Sequence, residues 1–125
     1  MLKDYGELIG TFTGNFMVNS LAFGKDNVLA SASYDKTIKI WNETNGQVIR
    51  NLTGHTDLVT SVAFGENYIH ASGSGDKSIK IWNWRTGVVV KNLTGYTNWV
   101  HNIAFGKDNV LVSGSEGDFI NVWKF

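Results

Sequence analysis

The sequence predicts an all-β fold of three equivalent four-stranded antiparallel units, and three observations predict it. First, Trp41, Trp82 and Trp123 recur every 41 residues, as do Phe23, Phe64 and Phe105, and Val18, Val59 and Val100. Second, the segments SASYDKTIKIWN (Ser31 to Asn42) and SGSGDKSIKIWN (Ser72 to Asn83) are nearly one string, and SGSEGDFINVWK (Ser113 to Lys124) aligns with them without a gap. Third, apolar residues alternate at period 2 within each copy, the pattern of a half-buried strand, and no stretch carries helical periodicity.

The middle copy shows the elements in order. Leu58 to Phe64 alternates apolar with small or polar residues and reads as the inner strand. Tyr68 to Ser74 is a second strand rich in small residues. Lys77 to Trp82 is the third, with Ile79 and Ile81 on one face and Lys80 on the other. The β-branched run Val88-Val89-Val90, like Gln47-Val48-Ile49 before it, reads as the outer strand. Turn signals separate them at Gly65-Glu66-Asn67, Gly75-Asp76 and Arg85-Thr86-Gly87. In the first copy the last of these is Asn45-Gly46, a strong hairpin signal. Four antiparallel strands in roughly 40–45 residues describe one blade of a β-propeller. The repeats run approximately over 14–53, 54–94 and 95–125 of a single domain, 1–125.

Composition narrows the function. The chain has 125 residues, 42% of them hydrophobic, enough for a core. Eleven basic residues balance eleven acidic ones, which argues against a nucleic-acid surface or a polybasic membrane surface. There is no cysteine, so disulfides, thiol catalysis and cysteine–zinc sites are excluded. No segment approaches the roughly 18 apolar residues of a membrane span, and MLKDYGELIG has no apolar signal core, so a cytoplasmic location is expected. The three histidines lack metal spacing and the serines sit in strands, so neither an enzyme nor a cofactor is expected. His70 stands where Leu29 and Leu111 stand and reads as a core or inter-blade residue. The sequons Asn42-Glu43-Thr44, Asn51-Leu52-Thr53 and Asn92-Leu93-Thr94 follow from repetition.

The Gly54-His55 pair, the Ser72/Ser74-x-Asp76 segment and the Ile81-Trp82 ending resemble the WD-repeat family over essentially the whole chain. The resemblance implies a buried hydrogen-bond network in the middle blade from His55, Ser72 or Ser74, Asp76 and Trp82. Other copies depart from it: Asn15 and Tyr96 replace the histidine, and Gly117 replaces the aspartate of the third copy. The family's narrow loop face commonly binds peptides or proteins. The residues carried onto that candidate face are Met17, Tyr34, Leu58, Trp99, His101 and Glu116, with His101 also a candidate for the central channel. The resemblance implies a protein–protein interaction scaffold. The alternative is a self-assembling structural propeller module with no dedicated ligand, designed or a fragment of a longer propeller.

Gly6-Glu7-Leu8-Ile9 matches Gly46-Gln47-Val48-Ile49, so residues 6–13 read as an outer strand, while the chain closes on a third strand at Trp123. Three blades do not close a ring, since propellers have typically four to eight. The expectation is a homo-oligomer, a six-bladed dimer ahead of a nine-bladed trimer, in which strand 6–13 completes a blade of a neighbouring copy.

Overall fold

The computed structural model describes residues 6–13, 17–115 and 119–125. The described residues form eleven strands in three antiparallel sheets. The first sheet holds β1 (Val18–Phe23), β2 (Val28–Ser33), β3 (Ile38–Asn42) and β4 (Val48–Leu52) in that order. The second repeats it with β5 (Val59–Phe64), β6 (Ile69–Ser74), β7 (Ile79–Asn83) and β8 (Val88–Leu93). The third holds β9 (Val100–Phe105), β10 (Val110–Ser115) and β11 (Ile120–Lys124). It therefore has three strands where the repeat predicts four. The segment expected to supply an outer strand, residues 6–13, is not a strand within one chain.

The turns differ from the expectation in an instructive way. Asn45-Gly46 is not a two-residue hairpin turn. Gly46 N–H donates to the Asn42 carbonyl at 2.9 Å and Asn42 N–H to the Gln47 carbonyl at 2.8 Å, so the loop spans four residues and ends on Gly46 at φ 72°. Gly87 takes the same role at φ 81°. The two-residue turns with positive φ at both centres lie earlier, at Asp26-Asn27, Asn67-Tyr68 and Asp108-Asn109. Their backbone twist matches that of the flanking strands, and Asn and Asp tolerate the left-handed region. Tyr68 (φ 64°) and Lys77 (φ 69°) belong to turns, so β6 and β7 begin later than the alternation implies.

The cores lie between the sheets. One face of the first sheet (Ala30, Ala32, Ile38, Ile40) packs on Val59, Val62, Phe64 and Trp82 of the second. The same face of the second (Ala71, Ile79, Ile81) packs on Val100, Ile103, Leu111 and Trp123 of the third. Small residues let the sheets approach: a Cβ added at Gly73 would lie 2.7 Å from Cγ1 of Val100. Polar side chains tie adjacent inner strands. Asn19 Nδ2 donates to the Val59 carbonyl at 3.0 Å, Thr60 Oγ1 donates to the Val100 carbonyl, and Ile103 N–H donates to Ser61 Oγ at 3.2 Å.

Candidate functional site

The middle blade assembles a continuous polar chain. His55 follows Gly54 in the loop after the first sheet, Ser72 lies mid-strand on β6, Asp76 sits in the β6–β7 turn, and Trp82 lies near the end of β7. Trp82 Nε1–H donates to Ser72 Oγ at 2.9 Å. Ser72 Oγ lies 2.7 Å from His55 Nε2, and His55 Nδ1 lies 2.8 Å from Asp76 Oδ2. One set of roles satisfies every atom: the serine accepts from the indole and donates to Nε2, and the Nδ1–H donates to the carboxylate.

Asp76 has three further donors. Thr56 N–H reaches Oδ2 at 3.1 Å, and Ser78 reaches Oδ1 through its N–H at 3.0 Å and its hydroxyl at 2.6 Å. Asp76 N–H itself donates to Ser74 Oγ at 3.0 Å. Burial would raise the Asp76 carboxyl, but the hydrogen bonds from Ser78 and His55 outweigh it and hold the group below its ordinary value. Burial lowers the His55 imidazole, against the pull of Asp76, so the ring is neutral at pH 7. A buried network of this kind rigidifies the blade when all members are satisfied.

Ser72 and Ser74, equivalent candidates in the sequence, have different places. Ser72 carries the indole-to-imidazole link. Ser74 Oγ donates to the Leu58 carbonyl at 2.8 Å and clamps the turn to the loop entering β5. The flanking blades keep the serine–tryptophan half: Trp41 Nε1–H to Ser31 Oγ at 2.9 Å and Trp123 Nε1–H to Ser113 Oγ at 3.2 Å. Tyr96 takes the histidine's place, its hydroxyl 2.9 Å from Ser113 Oγ. Asn15 and Gly117 lie outside the described residues. Ser78 joins the set on a signal that the sequence carries: Asp35-Lys36-Thr37 and Asp76-Lys77-Ser78 share one spacing, and Thr37 Oγ1 likewise donates to Asp35 Oδ1 at 2.5 Å.

Four of the candidate surface residues gather at one end of the blades. Tyr34 N–H donates to the Met17 carbonyl at 3.0 Å, and Gly75 N–H to the Leu58 carbonyl at 3.0 Å, so the two pairs are equivalent. Trp99 leans across from the third sheet: its Cε2 would lie 3.3 Å from a Cβ built on Gly75, beside the Asp57 carboxylate at 3.2 Å. Met17, Tyr34 and Trp99 are exposed and Leu58 is half-buried. Asp57 is a member that the sequence did not single out. Glu116 lies outside the described residues. His101 lies on the inner strand β9, at the position from which Asn19 and Thr60 reach the next sheet. Among the described residues, no cluster of three or more His, Asp or Glu could hold a metal ion, and no helix is long and apolar enough to cross a membrane.

Repeated antiparallel sheets packed face to face, each pinned by a tryptophan–serine bond that is buried in the first two and half-buried in the third, define the class of propeller-blade repeat proteins. The chain belongs to the WD-repeat family: the family model described as "WD domain, G-beta repeat" matches three times, over residues 6–42, 46–83 and 87–124. Among curated proteins it is similar to nuclear distribution protein PAC1 of Coccidioides posadasii (strain C735), 54% identical over 33 residues, or 26% of this chain. The protein of the same name from Coprinopsis cinerea is 55% identical over 31 residues, or 25% of this chain. In both cases the match covers 7% of the relative's length, the span of a single repeat. The family is in general a non-enzymatic protein-interaction fold.

Proposed function

We propose that this chain is a protein-interaction scaffold whose contact surface is the loop end formed by Met17, Tyr34, Leu58 and Trp99. The observation that carries this reading is the exposed Trp99 lying over Gly75 beside Asp57, next to the equivalent Met17–Tyr34 pair. Large aromatic side chains with a neighbouring polar rim are the residue types that dominate binding energy in peptide and protein contacts. Selection of a displayed peptide library on the immobilised chain tests it. Peptides enriched on the wild type should lose binding to Trp99→Ala and to Tyr34→Ala by tenfold or more. Enriched peptides that bind both variants as well as the wild type refute it.

A second reading, a self-assembling structural module without a dedicated ligand, is favoured by a separate observation: apolar residues of both terminal sheets face outward, Phe23 and Ile120 each at 77% exposure. The two readings differ on whether a ligand is bound, and both have the chain acting as a homo-oligomer, a dimer ahead of a trimer.

A further inference from the structure

We propose that copies of this chain join head to tail. The exposed face of sheet β9–β11 of one copy seats in the groove between residues 6–13 and the exposed face of sheet β1–β4 of the next, and residues 6–13 serve as its fourth strand. This rests on the homo-oligomer reading above and names the surfaces that carry it.

The complementarity is written into the repeat. Inside the chain, one kind of sheet face meets one other kind, twice over. The donor face is Ala30, Ala32, Ile38 and Ile40 in the first sheet and Ala71, Gly73, Ile79 and Ile81 in the second. Its counterpart in the third sheet is Val112, Gly114, Ile120 and Val122. The receiving face is Val59, Val62, Phe64 and Trp82, then Val100, Ile103, Phe105 and Trp123. Its counterpart in the first sheet is Val18, Leu21, Phe23 and Trp41. Ile38 and Ile79 are fully buried where the faces meet, while Ile120 is left exposed. A second copy therefore presents to each open face the residues that its equivalents already contact.

Residues 6–13 carry an independent mark. Gly6 has φ 82°, against 72° at Gly46 and 81° at Gly87, the glycines that turn the chain into β4 and β8. The family repeat matched at 6–42 also begins on the same segment as those at 46–83 and 87–124. Phe12 occupies the place of Leu52 and stacks on Trp41 with ring centroids 5.5 Å apart, as Leu52 shares a core with Trp82 and Leu93 with Trp123. The segment thus has the position of an outer strand but no sheet beside it. Between it and the first sheet lies an open groove of about 900 Å³, lined by Ile9, Phe12, Leu21, Phe23 and Trp41. Carrying the β3–β4 register across places Ile120 opposite Phe12, and Trp123 opposite Leu8, of the second copy.

Size agrees with this docking. The chain exposes 7946 Å², whereas a compact monomer of its mass exposes about 6,600 Å². The excess, about 1,300 Å², is of the order that a stable interface buries. His101 also gains a role, since Asn19 and Thr60 bond the carbonyl of the valine opening the next inner strand, and the Val18 carbonyl of a second copy is the matching acceptor. Faces of two different kinds make a heterologous contact, which closes into a ring when the rotation permits.

Light scattering on the full chain and two variants tests this. Ile120→Glu and Leu21→Glu each place a charge at a position exposed in the single chain, one on each face. The wild type should run as a multiple of 13.8 kDa, each variant alone at the monomer mass, and an equimolar mixture of the two as a heterodimer. That rescue is peculiar to a head-to-tail contact, because each variant keeps the one intact face that the other lacks, and it shows that both are folded. A wild type that is monomeric at 100 micromolar overturns both this inference and the homo-oligomer reading. An oligomer that survives Ile120→Glu, or variants that fail to combine, overturns the interface alone.

Discussion

His70 is the least satisfied group in the core, and replacing it with leucine should stabilise the protein. The side chain is fully buried, and neither ring nitrogen has a hydrogen-bond partner. Its contact with Phe64 is an edge-on ring packing at 4.9 Å, which a leucine also fills. The repeat already uses leucine there, as Leu29 and Leu111, and Leu111 is fully buried. A buried polar atom without a partner costs about 1–3 kcal/mol. Against this stands about 1 kcal/mol for imperfect repacking of a residue of similar volume. With two such nitrogens in the ring, His70→Leu should gain about 1–5 kcal/mol at pH 7.5, or roughly 4–20 °C in melting temperature. The pH dependence sharpens the test. Burial, helped slightly by His55, pushes the His70 imidazole down to about 3 from 6.5. The unfolded chain then binds a proton that the folded one refuses, between pH 6.5 and about 3. Stability is lost as pH falls below 6.5, at up to about 1.4 kcal/mol per pH unit. The advantage of the variant should thus grow by about 2 kcal/mol between pH 7.5 and 5.0, with titration of His55 common to both proteins. Urea unfolding at the two pH values measures it. Equal stability at pH 7.5, or a difference that does not widen at pH 5.0, would mean that the ring is satisfied in solution and the reasoning wrong.

Two further outcomes follow from the same packing and polar chain. Asp76→Asn replaces acceptors of hydrogen bonds from Thr56, Ser78 and His55 with an amide that is partly a donor, and should cost about 1.5–3 kcal/mol at pH 7. Because the folded-state value of Asp76 lies below its ordinary 3.8, that cost should be complete above the ordinary value and shrink as pH falls through the folded one, visible in acid unfolding curves. Gly73→Ala drives a methyl to 2.7 Å from Val100, and denaturant unfolding should show a loss of about 1–3 kcal/mol from overpacking.

Much of the local architecture is legible in the sequence. The period-2 runs ending at Trp41, Trp82 and Trp123 marked the strands, and Ser31, Ser72 and Ser113 recur ten residues before each indole that they bind. Strand ends were less legible. Tyr68 looks like a strand residue by type, yet stands at φ 64°, because the geometry of a two-residue turn is imposed by the twist of the strands it joins rather than by the side chain. The two serines upstream of Asp76 could not be told apart, since alternate residues on a strand share a face and only the loop packed above Ser74 distinguishes it from Ser72.

Periodicity by itself determined that this chain is a series of equivalent antiparallel sheets, because alternation along a strand and repetition between units are properties of order alone. Tertiary structure decided what lies across each gap. It set Trp99 over Gly75, left His70 sealed without a partner, and seated Phe12 on Trp41 while β11 keeps an unpaired edge. Those outcomes depend on the distance and angle between neighbouring sheets, which arise from side chains 40 residues apart meeting in space. No local pattern in the sequence carries that distance.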